Sequence, residues 1–177
     1  LRNSDALALQ RHSSVALRYE QVNPLTFEEP TSPHIVSQEQ GLPIDFTVMS
    51  AGLRALEPLA DWVQVEGAGG WFTPLSDDAT FADWVQQERL PVILVVGVKL
   101  GCINHALLTA QAVQAAGLRL AGWVANDVQP PGRRHQEYLA TLERLLPAPM
   151  LGEIPWLGAE PDVTPAAQWI DLSKLAR

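Results

Sequence analysis

The unbroken apolar run from Pro91 to Val98 most restricts the fold of this 177-residue chain. It is far too short to cross a bilayer as a helix, and it lacks the polar alternation of a half-buried strand. Such runs are typical of parallel strands that are buried on both faces. Amphipathic helical patterns lie on either side of the run. The sequence therefore predicts an α/β protein with a mostly parallel sheet built from βαβ units.

The same patterns place the other elements along the chain. Strands are predicted at residues 63–65, 91–97, 118–124 and 150–154. Helices are predicted from Asp5, near 37–40, over 45–59, from Thr80, from about Gly101 to a glycine cap at Gly117, and after Gly132. Residues 169–172 predict a last strand or a short helix. The length and the absence of any linker or repeat predict one domain over 1–177.

Composition argues against nucleic acids and anionic membranes as partners. The formal charge of -8 disfavours binding to nucleic acid or to an anionic membrane surface. It leaves open a small anionic ligand, which backbone dipoles can bind. The single cysteine, Cys102, precludes an internal disulfide and fits a reducing cytosol. The opening residues do not have the pattern of a signal peptide, so a cytoplasmic protein is expected.

Polar and glycine-rich segments follow four predicted strands: Glu66-Gly67, Lys99–Gly101, Asn126-Asp127 and Pro155-Trp156. The carboxyl ends of parallel strands share one edge of a sheet, so we expect these segments to face a common crevice. A carboxylate there suits Mg²⁺, and an asparagine suits the edge of a purine. Glycines 67, 69 and 70 let backbone N–H groups approach an anion. For Glu66 the alternative is an exposed side chain beside an ordinary glycine turn, and the pattern favours neither.

Other candidate residues also have structural explanations. Asp5 is predicted to cap the first helix, His34 to be a structural histidine, and Cys102 to be a small packed residue. The helix that begins near Gly101 has free N–H groups that suit a carboxylate or phosphate, although most such termini bind only water. The phosphate-binding motif G-x-x-x-x-G-K-[ST] does not occur in the chain.

Taken together, five segments resemble dethiobiotin synthetase of the enterobacterial type. They are residues 1–5 (LRNSD), 66–70 (EGAGG), 97–104 (GVKLGCIN), 126–127 (ND) and 152–157 (GEIPWL), and the resemblance covers essentially the whole chain. It implies a P-loop NTPase-like α/β fold with helices on both faces of the sheet. It also implies a cytoplasmic homodimer that is a cyclo-ligase of biotin biosynthesis, dependent on ATP and Mg²⁺.

The resemblance implies a reaction in three steps. One amine of diaminopelargonic acid captures carbon dioxide as a carbamate, which takes the γ-phosphoryl group of ATP to form a mixed anhydride. The second amine attacks the activated carbon, closes the cyclic urea and releases phosphate. Positioning and charge neutralisation are the physical requirements of such a transfer.

Site residues follow from the same resemblance. Asp5 and Glu66 correspond to the Mg²⁺ ligands. The nucleotide site comprises Asp5, Glu66, Gly67, Ala68, Gly69, Asn126, Asp127, Pro155, Trp156, Leu157 and Asp162. Asn126 and Asp127 correspond to the pair that reads adenine. The substrate site comprises Gly101, Cys102, Ile103, Asn104 and Tyr138, with the carboxylate bound in the family across the dimer interface.

The chain departs from the family pattern in one large respect. The first βαβ unit, which holds the P-loop and the lysine that assists catalysis, is absent from these 177 residues. We therefore expect an N-terminally incomplete synthetase with no catalytic residue in this chain and no turnover alone. One alternative is a P-loop-like binding or regulatory module without ligase chemistry. Another, an amide-forming synthetase of the cobyrinic-acid type, would need a glutaminase domain, for which there is no room.

Overall fold

Residues 2–158 and 166–175 are described by the structure, a computed structural model. They fall into two compact units, residues 1–88 and 89–177. We call these the first unit and the second unit, and describe each by itself. The prediction of a single domain stays a prediction. No helix among the described residues is long and apolar enough to span a membrane.

The first unit is helical. Its helices are α1 (Ser4–His12), α2 (Tyr19–Val22), α3 (Pro33–Gln40), α4 (Phe46–Leu56) and α5 (Phe81–Glu88), and a 3-10 turn (Glu57–Leu59) extends α4. Asn3 caps α1 by accepting hydrogen bonds from the N–H groups of Asp5 and Ala6, at 2.8 and 3.0 Å. The prediction that Asp5 is the cap was wrong, because Asn3 already occupies that position.

The predicted strand at 63–65 does not form. Residues 62–67 belong to no helix or strand, and Val65 is 44% exposed. A strand needs a neighbouring strand to bond its backbone N–H and C=O groups. Among the described residues, the three-stranded sheet and the isolated bridges do not include this segment. Its apolar residues are therefore not part of a buried parallel sheet in this chain.

A polar contact ties α4 to α5 in the first unit. Trp84 is 2% exposed and donates its indole N–H to the Ser50 hydroxyl at 3.1 Å. Ser50 in turn donates to Glu88 at 2.5 Å, and Arg54 forms an ion pair with the same carboxylate. The network gives the buried indole N–H of Trp84 an acceptor and links the two helices.

The second unit is a three-stranded parallel sheet with two crossover helices. The strands are β1 (Val92–Gly97), β2 (Leu120–Asn126) and β3 (Met150–Ile154), in the order β1-β2-β3. Helix α6 (Cys102–Ala115) connects β1 to β2, and α7 (His135–Leu145) connects β2 to β3. Right-handed crossovers in this order put both helices on the same face of the sheet. The α/β class and the parallel sheet are thus confirmed.

Apolar side chains of this unit form a core between helices and strands. The largest fully buried ones are Trp123, Leu142, Leu151 and Val113. Helix α6 buries Cys102, Ala106, Ala110 and Val113. The prediction that Cys102 is a small packed residue is confirmed, because its side chain is buried. Gly117 follows the helix with a φ of 72°, as its predicted cap role requires.

The end of the chain packs along β3. Ile170 forms an antiparallel bridge to Gly152, and the Asp171 N–H donates to the Leu151 carbonyl at 2.8 Å. Two 3-10 helices, Ala166–Trp169 and Leu172–Lys174, surround this contact. The predicted terminal strand or short helix is therefore present as a bridge between two short helices.

Candidate functional site

Three of the four predicted strand ends meet at one edge of the sheet in the second unit. Gly97 pairs with Asn126, and Asn126 pairs with Ile154, so the strands end side by side. The Val98 N–H donates to the Asn126 carbonyl at 2.8 Å, and the Asp127 N–H donates to the Ile154 carbonyl at 2.9 Å. The segments that leave the sheet here begin with Lys99, Asp127 and Pro155. The carboxyl edge of the sheet is a ligand-binding position in open α/β folds.

Helix α6 starts at this edge with unsatisfied backbone donors. Its N-cap is Gly101, in the left-handed region at a φ of 91°, and a glycine offers no side chain to cap the helix. The Cys102 N–H bonds to the Lys99 carbonyl at 3.0 Å. The next two N–H groups, of Ile103 and Asn104, precede the first N–H with an acceptor in the helix, that of His105, which bonds to the Gly101 carbonyl at 3.1 Å. They can bind an anion, and the positive end of the helix dipole favours one.

A buried cluster of three titratable side chains lies behind the edge. His135 Nε2 is 2.7 Å from Glu153 Oε1 and 3.7 Å from Asp127 Oδ2. The side chains of His135 and Asp127 are 10% and 3% exposed. Asp127 Oδ1 is buried and has no hydrogen-bond partner. We call these residues the Asp127–His135–Glu153 cluster.

Burial governs the charge of Asp127. Loss of hydration raises the pKa of this carboxyl above its ordinary value, the His135 imidazole lowers it, and the nearby Glu153 carboxylate raises it further. Asp127 therefore resists ionisation more than an exposed aspartate does. The pKa of Asp127 therefore depends on the position of the His135 imidazole.

Neither His135 nor Glu153 is predicted from the sequence to be a site residue. His135 follows a Pro-Pro-Gly turn, and Glu153 stands one residue before the end of a short strand. Neither has a spacing that signals a site. Only the parallel pairing of β2 and β3 brings Asp127 and Glu153 together, and only the start of α7 brings His135 to them. The signal that was available is weak: polar residues at the ends of adjacent strands.

The residues expected to surround the base differ in exposure. Asn126, Pro155 and Leu157 are half-buried, and Trp156 is 39% exposed. Asp127 is buried, so its carboxylate does not face solvent. Tyr138 is half-buried on α7. Asp162, also assigned to the nucleotide site, lies outside the described residues.

The remaining predicted site residues are in the first unit. Asp5 is exposed in the first turn of α1, where its Oδ1 accepts a hydrogen bond from the Ser4 hydroxyl at 3.1 Å. Glu66, Gly67, Ala68 and Gly69 are all exposed. Because residues 63–65 form no strand, Glu66 does not stand at a strand end as expected. Among the described hydrogen bonds and ion pairs, none involves the Glu66 carboxylate.

The glycine loop that follows Glu66 has a defined conformation. Gly69 has a φ of 77°, and any side chain there would collide with the Thr73 hydroxyl. That hydroxyl accepts a hydrogen bond from the Gly70 N–H at 2.8 Å. Glycine is therefore required at position 69 for both reasons.

A cavity of about 640 Å³ opens in the first unit beside this loop. Its walls are mainly apolar and include Leu53, Phe81 and Trp84, with Glu66 and Ala68 on its border. The segment 62–66, which contains the predicted strand 63–65, forms part of the wall. The carboxylate of Glu66 thus borders a space large enough for a ligand or for further protein.

Comparison with known proteins identifies the family. A model for a family described as an AAA domain matches residues 1–165. The ATP-dependent dethiobiotin synthetase BioD 1 of Escherichia coli (strain K12) is 71% identical over 175 residues, which are 99% of this chain and 78% of that protein. This chain belongs to the dethiobiotin synthetase family.

Other relatives agree with the assignment. The ATP-dependent dethiobiotin synthetase BioD of Pseudescherichia vulneris is 73% identical over 99% of this chain and 73% of its own length. BioD 1 of Salmonella typhimurium is 69% identical over all of this chain and 78% of its own length. The resemblance drawn from the five sequence segments is therefore confirmed, and so is the P-loop NTPase-like class.

Proposed function

We propose that this chain supplies the nucleotide-base site and the substrate-carboxylate site of an ATP-dependent dethiobiotin synthetase. One observation carries the proposal. The parallel sheet brings the uncapped start of α6, Asn126 and the Pro155–Leu157 segment to one edge. This arrangement supports a site in which a helix terminus that can bind an anion lies near an amide that can read a purine, as a reaction between a carboxylate-bearing diamine and ATP requires.

The adenine base binds between Asn126 and the segment Pro155–Leu157 in this proposal. The Asn126 amide has both donors and an acceptor, which match the edge of adenine. The exposed ring of Trp156 and the neighbouring apolar residues offer a face for the base. The enclosed carboxylate of Asp127 supports this site without touching the base, and Asp162 completes it.

The carboxylate of diaminopelargonic acid binds at the start of α6. The N–H groups of Ile103 and Asn104 donate to it, with Gly101 and Cys102 forming the turn that exposes them. Tyr138 of α7 adds a hydroxyl. Bound there, the acid is held by one end, which leaves its two amines free to react.

Asp5 and Glu66 would hold Mg²⁺. Both are exposed carboxylates with oxygen donors, and Mg²⁺ prefers one or two carboxylates together with waters and phosphates. The donor set therefore fits the ion. Mg²⁺ would neutralise charge on the phosphates during transfer. The backbone N–H groups of Gly67, Ala68 and Gly69 would donate to the same phosphates.

The chemistry is ring closure by carbamate activation. One amine adds to carbon dioxide and loses a proton, and the carbamate oxygen displaces ADP at the γ-phosphorus. The second amine then attacks the carbon of the mixed anhydride and loses a proton, so that phosphate leaves and dethiobiotin forms. The residues of this chain bind and orient the reactants. None of them is assigned as a general acid, a general base or the lysine of a P-loop.

Calorimetry on two ligands tests the proposal. We expect the chain to bind adenosine and diaminopelargonic acid at separate sites. Ile103→Pro removes one N–H donor at a position where a helix tolerates proline. It should weaken binding of the acid at least tenfold and leave adenosine binding unchanged, while Ile103→Leu should change neither. Equal affinity of I103P and the unmodified chain for the acid would contradict the substrate site.

A binding or regulatory module without ligase chemistry would bind the nucleotide and not the diamine. The same titrations separate the two proposals. We expect no turnover from the 177 residues alone, and diamine-dependent phosphate release from them would contradict the role given to the P-loop.

We further propose that the protein acts in the cytoplasm as a homodimer. Leu100 and Leu108 lie beside and on α6 and are 86% and 57% exposed. Exposed apolar side chains near a binding site suit a protein interface. Leu108→Glu should shift the mass measured by light scattering from two chains to one, whereas Leu145→Glu, an exposed position on α7, should not. A mass of one chain without any substitution would contradict the dimer.

A further inference from the structure

The Asp127–His135–Glu153 cluster joins three separate elements of the second unit. Asp127 follows the last residue of β2, Glu153 is next to the last residue of β3, and His135 is the first residue of α7. Each of the two acids is directly adjacent to a residue that lies at the carboxyl edge. Asn126 precedes Asp127, and Ile154 links Glu153 to the segment Pro155–Leu157.

The geometry fits a shared proton better than a metal ion. An ionised carboxylate only accepts, so with Glu153 ionised the 2.7 Å contact has the hydrogen on His135 Nε2. In a tetrahedral zinc site the bond lengths separate nitrogen and oxygen ligands by about 3.3 Å. The observed His135–Glu153 distance is shorter than that. Within the cluster, the His135–Glu153 pair is at hydrogen-bond distance, and Asp127 Oδ2 faces the same His135 nitrogen at 3.7 Å.

The cluster is a costly way to stabilise a fold. Asp127 Oδ1 has no partner, and both Asp127 and His135 are at least nine-tenths buried. Buried charged groups often contribute less to stability than apolar residues of the same size would, and they are retained where they select one arrangement. The arrangement selected here is the one that sets Asn126 beside the Pro155–Leu157 segment.

We propose that His135 is a positioning residue for the nucleotide-base pocket, acting through Asp127 and Glu153. It holds the ends of β2 and β3 in register with the start of α7. Asp127 then serves the pocket from behind instead of touching the base, because its carboxylate is enclosed. The role of His135 in nucleotide binding rests on the proposed function, whereas its role in fixing the two strand ends does not.

Three substitutions separate the contacts. Glu153→Leu removes the acceptor of the His135 hydrogen bond at a side chain that is 34% exposed, so the chain should still fold. Glu153→Gln keeps an oxygen acceptor in the same place. His135→Phe removes the donor and keeps a ring of similar size. Glu143→Gln, on the exposed side of α7, is the control for loss of a carboxylate.

The first measurement is hydrogen exchange without ligand. The Asp127 N–H, which bonds to the Ile154 carbonyl, and the amides of residues 156–157 should exchange at least tenfold faster in E153L and H135F than in the unmodified chain. E153Q and E143Q should exchange like the unmodified chain. Unchanged exchange in both E153L and H135F would overturn the proposal.

The second measurement compares two ligands on the same variants. Adenosine affinity should fall at least fivefold in E153L and H135F and recover in E153Q, while the affinity for diaminopelargonic acid stays the same. Equal weakening of both ligands would show a general loss of structure and overturn the positioning role. Stoichiometric zinc in the purified chain that disappears in H135F would overturn it in favour of a metal centre.

Failure of the proposed function gives a different result. If the unmodified chain binds no adenosine, the nucleotide site is wrong and the role of His135 in it falls as well. The exchange measurement then decides alone whether the cluster fixes the strand ends. If adenosine binds equally to all variants, the nucleotide site stands and only the positioning role is overturned.

Discussion

The Asp127 carboxyl is buried at the carboxyl edge of the sheet, and this burial makes its ionisation unfavourable. Burial raises its pKa, and it is faced by one group that lowers the pKa, His135, and one that raises it, Glu153. The ionisation of Asp127 is therefore linked to folding.

Replacing Asp127 by Asn should flatten the pH dependence of stability. Because the folded pKa lies above the unfolded value of about 3.9, the contribution of Asp127 to the free energy of unfolding is complete below that value. It is lost as the pH rises through the raised pKa. Relative to the unmodified chain, Asp127→Asn should therefore become progressively more stable as the pH rises above about 3.9. Urea unfolding at several pH values measures the difference.

The control for that series is Glu143→Gln, which removes an exposed carboxylate from α7. Its pH series shows what the loss of one exposed carboxylate changes in general. The same pH dependence for Asp127→Asn and Glu143→Gln would contradict the raised pKa of Asp127.

Ser50 has a double role in the first unit, so its loss should be costly. Ser50→Ala leaves the indole N–H of Trp84, a side chain that is 2% exposed, without its acceptor. An unsatisfied buried donor costs about 1–3 kcal/mol. Ser13→Ala, which removes an exposed hydroxyl bonded to the Leu9 carbonyl at 2.8 Å, should cost less than about 0.5 kcal/mol. Equal unfolding free energies for the two variants, measured in urea, would contradict the importance of this bond.

Single residues show where sequence reasoning succeeds. Gly101 and Gly117 were placed at the start and end of a helix because glycine tolerates positive φ, and both have it. The choice of Asp5 as a helix cap failed because Asn3 competes for the same donors two residues earlier. His135 was missed because its partners come from two strands that are distant in sequence, and no local pattern encodes such a meeting.

At the scale of elements, an apolar sequence pattern gives a strand only where a second strand is present to pair with it. The strand at 150–154 was predicted with the same bounds that the structure has, and β1 and β2 differ from their predictions by a few residues at most. Each of these strands has a neighbour to pair with. Residues 63–65 have the same apolar pattern, but no described strand pairs with them. Periodicity predicts which side chains suit a strand, and only a partner makes the strand form.

The contact between β3 and the end of the chain depends on a glycine. A methyl group at Gly152 would collide with the Trp169 backbone carbonyl. Gly152→Ala should therefore displace the bridge to Ile170 and destabilise the chain by about 1–3 kcal/mol. Gly132→Ala is the matched control, because nothing lies within 4 Å of its added methyl group. Thermal unfolding and proteolysis of residues 166–175 measure the effect, and equal protease resistance of the two variants would contradict it.

At the scale of the whole molecule, the two units raise the question of cooperativity. The sequence predicts one domain, whereas the contacts divide the chain at Glu88. Units of fewer than about 100 residues bury a small share of their surface and are marginally stable when alone. We therefore expect the two units to unfold together in a single transition.

Two of the substitutions above test this expectation jointly. Ser50→Ala acts in the first unit and Gly152→Ala in the second. If the chain unfolds as one cooperative body, each should lower the midpoint of the same calorimetric transition, and the van't Hoff enthalpy should equal the calorimetric one. The loss of stability in the double variant should then be close to the sum of the two single losses, because the sites share no partner. Two transitions, each moved by only one substitution, would mean that the units fold independently and that the single-domain prediction is wrong.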